Sequence, residues 1–211
     1  AHAGTEENAA TQRSYAAVKF LLYNLVGGLI MLAAVIGLYV VAGSFSLTEI
    51  AEARASGELE MATNTERLLF LGFFFAFAIK APLWPLHTWL PNAMGEATAP
   101  VAVHITAVVD KVGTFAMLRF CLQLFPEASK WATPAIIVLA LVSIVYGALL
   151  AVGQRDIKRL IAYASVSHFG FIVLGIFAMT SQGQSGATLY MVNHGLSTGA
   201  VMLVGGFLFS R

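Results

Sequence analysis

The sequence has 211 residues, of which 58% are hydrophobic and 11% are charged, and its formal net charge is +1. Soluble globular domains carry about 25% charged residues, so this chain has too little polar surface to cover a body surrounded by water. Its composition therefore indicates a membrane protein. A net charge this close to zero argues against a nucleic-acid partner, which requires a basic face.

The hydrophobic residues fall into six segments, and a helix that spans a bilayer needs roughly 20 of them. The polar residues 1–13 precede the first segment and are expected to form a linker. We predict crossings at about 15–42, 68–79, 99–125, 133–152, 157–179 and 188–210. The last crossing ends directly at Arg211, so we expect the chain to be a fragment of a longer protein.

The second of these segments is too short to cross a bilayer alone. It stops at Lys80, and Pro82, Pro85 and Pro91 follow within the next eleven residues. Proline breaks the interior of a helix, so the chain continues either as a loop or as a helix interrupted at membrane depth. Non-helical backbone at that depth is tolerated only where protein or a water-filled cavity surrounds it.

The basic residues of the connections predict how the chain is oriented. Arg13 and the 153–159 loop lie on one side of the membrane, and the acidic 45–67 connection lies on the other. Because cytoplasmic connections are enriched in lysine and arginine, we expect the loops at about 153–159 and 82–98 to be cytoplasmic.

Ionisable side chains lie inside several predicted spans, where a charge at the helix centre costs roughly 2.5–3.5 kcal/mol. Lys80 lies at a helix end and either snorkels to the membrane surface or serves an interior function, which we favour because a proline break follows it. Lys111 lies near the middle of its span, too deep for snorkelling. The adjacent Asp110 pairs either with Lys111, as a purely structural ion pair, or with a neighbouring helix.

Histidines extend this series of ionisable groups. His104 precedes Lys111 by seven residues and Arg119 follows it by eight, so a regular α-helix places all three on nearly the same face. His168 and His194 lie inside the last two spans. Either of these two alone is more simply a structural histidine bonded to a backbone carbonyl. Serine, threonine and asparagine side chains lie near both, however, and such side chains can hold water between membrane helices.

The chemistry of these groups predicts a proton relay. Histidine titrates near neutral pH, and removal from water makes a lysine release its proton more readily. A metal site is the competing interpretation, but the histidines are isolated and lack the spacing of metal ligands, so we expect no metal. The candidate relay residues are Lys80, Lys111, His104, His168 and His194.

Three long strings of the sequence resemble a known family. They are FAFAIKAPLWPLHTWLP at 75–91, DIKRLIAYASVSHFG at 156–170 and NHGLSTGA at 193–200. They are similar to signatures of the antiporter-like membrane subunits of respiratory complex I and of multisubunit sodium/proton antiporters, and the resemblance extends over essentially all residues from about Ser14. It implies an all-α polytopic membrane protein, with about six transmembrane helices in this chain, one of them broken.

The fold implied by this resemblance has about fourteen transmembrane helices in two inverted repeats, each with one broken helix. Residues 14–125 would then form the end of the first repeat, with its broken helix at about 68–98. Residues 126–211 would form the start of the second repeat.

The resemblance also implies roles for single residues. Lys80 matches the buried lysine of the broken helix, and Lys111 matches the connecting lysine of the next helix. His168 and His194 match the histidines that continue the relay into the second repeat. An acidic partner of Lys80 is implied on a helix that precedes the first predicted span. Asp110 has no counterpart in the family's pattern.

The function implied by the resemblance is that of a membrane-arm subunit of NADH-quinone oxidoreductase in the bacterial inner membrane. Such a subunit translocates protons when quinone is reduced in other subunits. Those subunits would hold the FMN, the iron–sulfur clusters and the quinone, and we expect no cofactor in this chain. The implied partners are the other membrane-arm subunits, including neighbouring antiporter-like ones, and the lipid bilayer.

Two alternative functions stay open. One is a subunit of a multisubunit sodium/proton antiporter that has no redox partner. The other is a membrane scaffold whose buried charges only hold helices together.

Overall fold

A computed structural model of the protein describes the backbone of residues 2–209 and the side chains of residues 8–207. Arg211, at which the last predicted crossing ends, lies outside the described residues. The described part consists of helices and their connections and contains no β-strand. In chain order the helices are α1 (His2–Ala42), α2 (Leu47–Ser56), α3 (Thr63–Lys80), α4 (Trp89–Glu96), α5 (Ala99–Leu124), α6 (Pro126–Val152), α7 (Ile157–Phe177) and α8 (Ser181–Phe209).

Within the described residues, four helices are long and apolar enough to cross a bilayer: Asn8–Ala42 of α1, and the whole of α5, α6 and α7. The sequence predicted six crossings. Of the two others, α3 falls short because it carries Glu66, Arg67 and Lys80 within its 18 residues, and the predicted crossing at 188–210 extends beyond the residues whose side chains are described. The all-α membrane fold is confirmed.

Two helices begin earlier than predicted. α1 starts at His2, so the expectation of a separate linker at 1–13 is wrong, and the helix includes this segment from its second residue. α6 starts at Pro126 rather than at Thr133, and it continues through Pro134. Proline is favoured in the first turn of a helix because its missing N–H would have no partner there, which makes Pro126 a natural start.

The break in the second predicted crossing is confirmed. α3 ends at Lys80, and a non-helical connection joins it to α4. Trp84 N, in this connection, donates a hydrogen bond to Ser143 Oγ at 2.8 Å. At the start of α4, Trp89 Nε1 donates to the carbonyl oxygen of Ile79 at 2.8 Å. Neighbouring side chains thus satisfy the interrupted backbone, as the hydrocarbon interior requires.

α5 contains two π turns, at Ile105–Val109 and at Met117–Cys121. At the end of the first, Asp110 N donates to the carbonyl oxygen of Ile105 at 3.2 Å, five residues back rather than four. Each π turn therefore shifts the faces of the helix on either side of it, and such turns are frequent at functional sites. The hydrophobic pattern does not reveal them, so the sequence predicted a regular helix.

Glycines bring α6 and α7 close together. A Cβ atom on Gly147 would lie 2.6 Å from Ser167 N, and one on Gly170 would lie 2.7 Å from the carbonyl oxygen of Ala140. No larger side chain fits at either position, as is typical of small-residue packing between membrane helices. This packing fixes the part of α7 that carries His168.

The connections described here meet in two groups. In one group, Lys158 Nζ donates a hydrogen bond to the carbonyl oxygen of Ala97 at 2.9 Å. Arg159 lies 3.8 Å from Glu96 in the same group. The loop before α7 therefore contacts the connection between α4 and α5.

In the other group, the buried side chain of Glu66 joins three elements. Its Oε2 accepts a hydrogen bond from Arg54 Nη2 of α2 at 2.9 Å. Its Oε1 accepts from the backbone N–H groups of Glu127 and Ala128, at 3.1 Å each. A carboxylate is favourable at a helix N-terminus, so a residue of α3 fixes both α2 and the start of α6.

We expect the change Glu66→Ala to destabilise the protein by about 3–5 kcal/mol, because it leaves the largely buried Arg54 without its ion-pair partner. The measurement is thermal unfolding of the purified protein in detergent. The matched control is Glu127→Ala, whose carboxylate pairs with Lys130 at the surface and is worth about 1 kcal/mol or less. Equal losses in the two variants would contradict the bridging role of Glu66.

Candidate functional site

Lys111 follows the first π turn of α5, and its side chain is 12% exposed. Its Nζ lies 2.9 Å from Asp110 Oδ1 and donates a hydrogen bond to the carbonyl oxygen of Thr106. The ammonium also lies 5.1 Å from the centroid of the Phe169 ring in α7. One carboxylate, one carbonyl and one aromatic face therefore replace most of the water around this cation.

Asp110 is the ion-pair partner of Lys111, which is one of the two arrangements that the sequence left open. Its side chain is fully buried. Within the described residues, no other helix donates a hydrogen bond to either carboxylate oxygen, and the ammonium of Lys111 is its ion-pair contact. A buried charge requires a partner, so Lys111 is what allows this carboxylate to stay charged inside the helix bundle.

His168 and His194 lie together on α7 and α8, with ring centroids 5.1 Å apart. His168 Nδ1 forms a hydrogen bond with the Tyr190 hydroxyl. His194 is 2% exposed, and neither ring nitrogen has a hydrogen-bond partner in the described part of the chain. The Phe169 ring, which contacts the Lys111 ammonium, also lies edge-on to His194 at 5.2 Å. The structure thus brings Lys111, His168 and His194 into one cluster.

Lys80 lies where the end of α3 packs on α5. A Cβ atom on Gly113 would come within 2.7 Å of the carbonyl oxygen of Phe77 and 3.0 Å of Lys80 Cβ. The Lys80 side chain is partly buried, and its ammonium has no ion-pair or hydrogen-bond partner among residues 8–207. The break in the helix therefore lies directly against the helix that carries Lys111.

His104 lies outside the cluster. His104 and Arg119 are exposed whereas Lys111 is largely buried, so the prediction that these three share one face is wrong. The reason is the pair of π turns at Ile105–Val109 and Met117–Cys121, which lie on either side of Lys111. They break the regular helical spacing on which the prediction depended.

A second buried histidine was missed by the sequence analysis. His87 lies in the non-helical connection between α3 and α4 and is 2% exposed, and its Nδ1 has no hydrogen-bond partner in the described residues. Its ring packs edge-on against Tyr146 at 5.1 Å, and the Tyr163 ring lies 6.4 Å away. The signal that could have identified it is its position between two prolines at membrane depth.

The cluster is suited to binding and passing protons. It joins a paired lysine, two histidines and a tyrosine hydroxyl in a buried region, and imidazole both accepts and donates protons near neutral pH. Buried polar atoms without a partner are rare, and they commonly mark a functional group or a water site. Among the described residues, no three His, Cys, Asp or Glu side chains converge into a group that could hold a metal ion.

Comparisons with known proteins find related sequences. The model of the family described as NADH:quinone oxidoreductase/Mrp antiporter, TM, matches residues 5–211. The chain is 62% identical over 204 residues to NADH-quinone oxidoreductase subunit M of Mycobacterium tuberculosis, covering 94% of this chain and 37% of that protein. It is 40% identical over 207 residues to subunit M of Rhodobacter capsulatus, covering 95% and 40%. The chain therefore spans less than half the length of these curated relatives.

Solved structures share the fold. A chain of respiratory complex I from Thermus thermophilus, solved with bound NADH, superimposes with a TM-score of 0.86 at 38% identity, covering 94% of this chain and 42% of that one. A chain of the Mrp complex from Dietzia sp. DQ12-45-1b superimposes with a TM-score of 0.79 at 24% identity, covering 92% and 35%. The second likeness shows the fold alone.

The contact between α3 and α5 leads to a stability prediction. Gly113→Ala places a methyl group against backbone atoms of α3, so we expect a loss of about 1–3 kcal/mol from overpacking. Gly28→Ala is the control, because a Cβ there meets nothing within 4 Å and alanine is favoured over glycine in a helix by about 1 kcal/mol. Thermal unfolding in detergent compares the two, and a Gly113→Ala protein as stable as the control would contradict the close approach.

Proposed function

Because the chain belongs to the NADH:quinone oxidoreductase/Mrp antiporter transmembrane family, we propose that it forms part of a proton-translocating membrane-arm subunit of an NADH-quinone oxidoreductase. The relatives named subunit M of that enzyme support this proposal. The observation that carries it is the buried cluster of Lys111, His168 and His194, three proton-binding side chains on adjacent membrane helices.

Proton transfer in the proposed relay runs from Lys111 to the histidine pair. The Lys111 ammonium gives up a proton toward the ring nitrogens of His194, which have no hydrogen-bond partner in the described residues. His168 lies next to His194 and exchanges protons with the Tyr190 hydroxyl, to which it is hydrogen-bonded. The Phe169 ring contacts both Lys111 and His194, and we propose that a bridging water carries the proton between them.

Lys80 supplies protons to Lys111 from the broken helix. The non-helical backbone that follows Lys80 is the kind of segment that lines water-filled cavities in membrane proteins. Its ammonium has no counter-ion among residues 8–207, so an acidic side chain elsewhere in the full subunit is proposed as its partner. The buried His87 lies in the same connection and is a further candidate for the path. His104 is exposed and is not assigned a transfer step.

The relay must be gated, because each proton moved against 100 mV requires roughly 2.3 kcal/mol and a permanently open path would dissipate the gradient. Quinone reduction in other subunits is proposed to shift the protonation of Lys80 and Lys111 through neighbouring membrane-arm subunits. The FMN, the iron–sulfur clusters and the quinone belong to those other subunits in this proposal. The part of this chain is to bind, hold and release protons.

The proposed setting is the bacterial plasma membrane, with the loops at about 153–159 and 82–98 on the cytoplasmic side. These two loops contact each other through Lys158 and Ala97, which supports their common side. Residues 14–125 are proposed as the end of the first inverted repeat and residues 126–211 as the start of the second. The relay would then pass from one repeat to the other between Lys111 and the histidines.

The relay is tested with Lys80→Met and Lys111→Met in the full subunit, assembled in its complex. Both changes remove a proton-binding group and keep an unbranched side chain. NADH-driven proton uptake by membrane vesicles is expected to fall by roughly 10²-fold, the lower end of what a positioned proton-transfer group contributes. Lys130→Gln, which alters an exposed ion pair, is the control and is expected to leave proton uptake unchanged.

Unaltered proton uptake in both methionine variants would refute the relay and favour a scaffold in which the buried charges only hold helices together. Sodium-driven proton exchange that needs no NADH would instead assign the chain to an antiporter, a function that the fold shared with the Mrp complex also accommodates.

The orientation is tested by cysteine labelling. The native Cys121 is buried, so it gives little background with a membrane-impermeant thiol reagent. Gly153→Cys and Glu58→Cys place single thiols at exposed positions of the two loop groups. In right-side-out vesicles we expect labelling at position 58 and protection at position 153 until the membrane is opened. The reverse pattern would overturn the assignment of the basic loop to the cytoplasm.

A further inference from the structure

We propose that Asp110 is a second proton-binding group of the Lys111 site, and that a proton arriving on its carboxylate releases the proton held by Lys111. This inference rests on the proposed function of Lys111 as a relay residue. It adds to the relay a residue for which the family resemblance implies no role.

The surroundings of the carboxylate support this role. Asp110 has a fully buried side chain whose Oδ1 lies 2.9 Å from Lys111 Nζ. Among the described residues, no hydroxyl and no group of another helix donates a hydrogen bond to either oxygen, and the N–H groups beside the carboxylate are those of Asp110 and Lys111 themselves. Glu66 offers a contrast, because its buried carboxylate is held by Arg54 and by two backbone N–H groups. The groups that favour the charge of Asp110 therefore come from two residues of its own helix, whereas Glu66 is held by donors from two other elements.

The backbone places the two groups of the pair toward different neighbours. Asp110 lies three residues before Gly113, hence on the same face of the helix, and Gly113 packs on the end of α3 beside Lys80. Lys111 instead extends over Phe169 of α7, and its Cε lies 3.7 Å from the position of a Cβ on Gly195 of α8. The backbone of Asp110 thus lies on the face of α5 that packs on α3, and its carboxylate reaches the ammonium, which lies on the side of the histidines.

In the proposed transfer, the proton that arrives on Asp110 displaces the proton held by Lys111, and the number of protons on the pair is the same before and after. An incoming proton forms an O–H bond on the Asp110 carboxylate, which becomes neutral and ends the ion pair. The Lys111 ammonium is then a buried cation without a counter-ion, and it loses an N–H proton to an imidazole nitrogen of His194 or His168, directly or through water. The neutral Lys111 amine finally takes the proton from the Asp110 hydroxyl, and the ion pair forms again. One proton has entered and one has left.

The competing interpretation is that the ion pair of Asp110 and Lys111 is purely structural. A double variant distinguishes this interpretation from the proposed proton transfer. Asp110→Asn, Lys111→Met and the combination of both are introduced into the full subunit within its complex, and NADH-driven proton uptake is compared with NADH–quinone reduction. We expect Asp110→Asn to reduce proton uptake to the level of Lys111→Met, and the double variant to stay at that level, because the two residues act as one unit. Wild-type proton uptake in Asp110→Asn, or its recovery in the double variant, would overturn the proposal.

A second measurement uses the unaltered complex, so that it does not depend on assembly of the variants. Hydrophobic carbodiimides partition into the bilayer and react with protonated carboxyl groups there. We expect dicyclohexylcarbodiimide to modify Asp110 more during NADH oxidation than at rest, and to leave the firmly held Glu66 unmodified, as read by mass spectrometry of the peptides. Absence of modification at Asp110 in both states would refute a protonated intermediate there.

The results also separate this inference from the proposed function. Loss of proton uptake in Lys111→Met together with wild-type uptake in Asp110→Asn would refute only the role of Asp110. Wild-type proton uptake in Lys80→Met and in Lys111→Met would refute the relay itself. Glu52→Gln, a change to an exposed carboxylate outside the membrane-spanning helices, is the control and is expected to leave uptake unchanged.

Discussion

Hydrocarbon offers no hydrogen-bond partners, so the polar groups inside these helices must find their partners within the protein. This constraint explains where the chain can leave the α-helix. The backbone that is interrupted after Lys80 is satisfied by Ser143 and by the Trp89 indole. The first π turn of α5 frees a carbonyl, that of Thr106, which accepts a hydrogen bond from Lys111. Irregular backbone and buried charge therefore occur together because each satisfies the other.

Close packing at glycines fixes the positions of the helices that carry these polar groups. The absence of a side chain at Gly113 lets the end of α3 lie directly on α5, and Gly147 and Gly170 do the same for α6 and α7. The lysines and the histidines are therefore carried by elements with little freedom to move apart. Rigid support of this kind suits proton transfer, which requires donor and acceptor to stay within hydrogen-bond reach.

The sequence was sufficient to predict the features of the fold that depend on composition and on the positions of the prolines. The membrane class, the all-α fold and the break after Lys80 follow from hydropathy and from the prolines that come next, and the structure confirms them. The position of His104 could not be predicted, because a π turn changes the face of a helix without altering its hydrophobicity. The bridge made by Glu66 also lay beyond prediction, since its partners are 12 and more residues away along the chain and meet it only in the folded structure.

The two lysines differ in what controls their charge, and this difference bears on how a gate could act. Lys111 has its counter-ion on the adjacent residue, Asp110, so its protonation is governed within α5. Lys80 has no counter-ion among residues 8–207, so its protonation depends on groups contributed from elsewhere. In a relay that contains both, an external event acts on Lys80 first, because a neighbouring element can supply or withdraw its missing counter-ion, and the change reaches Lys111 through the proton that Lys80 passes on. Lys111 would then respond to the proton that arrives and need not sense the distant event itself.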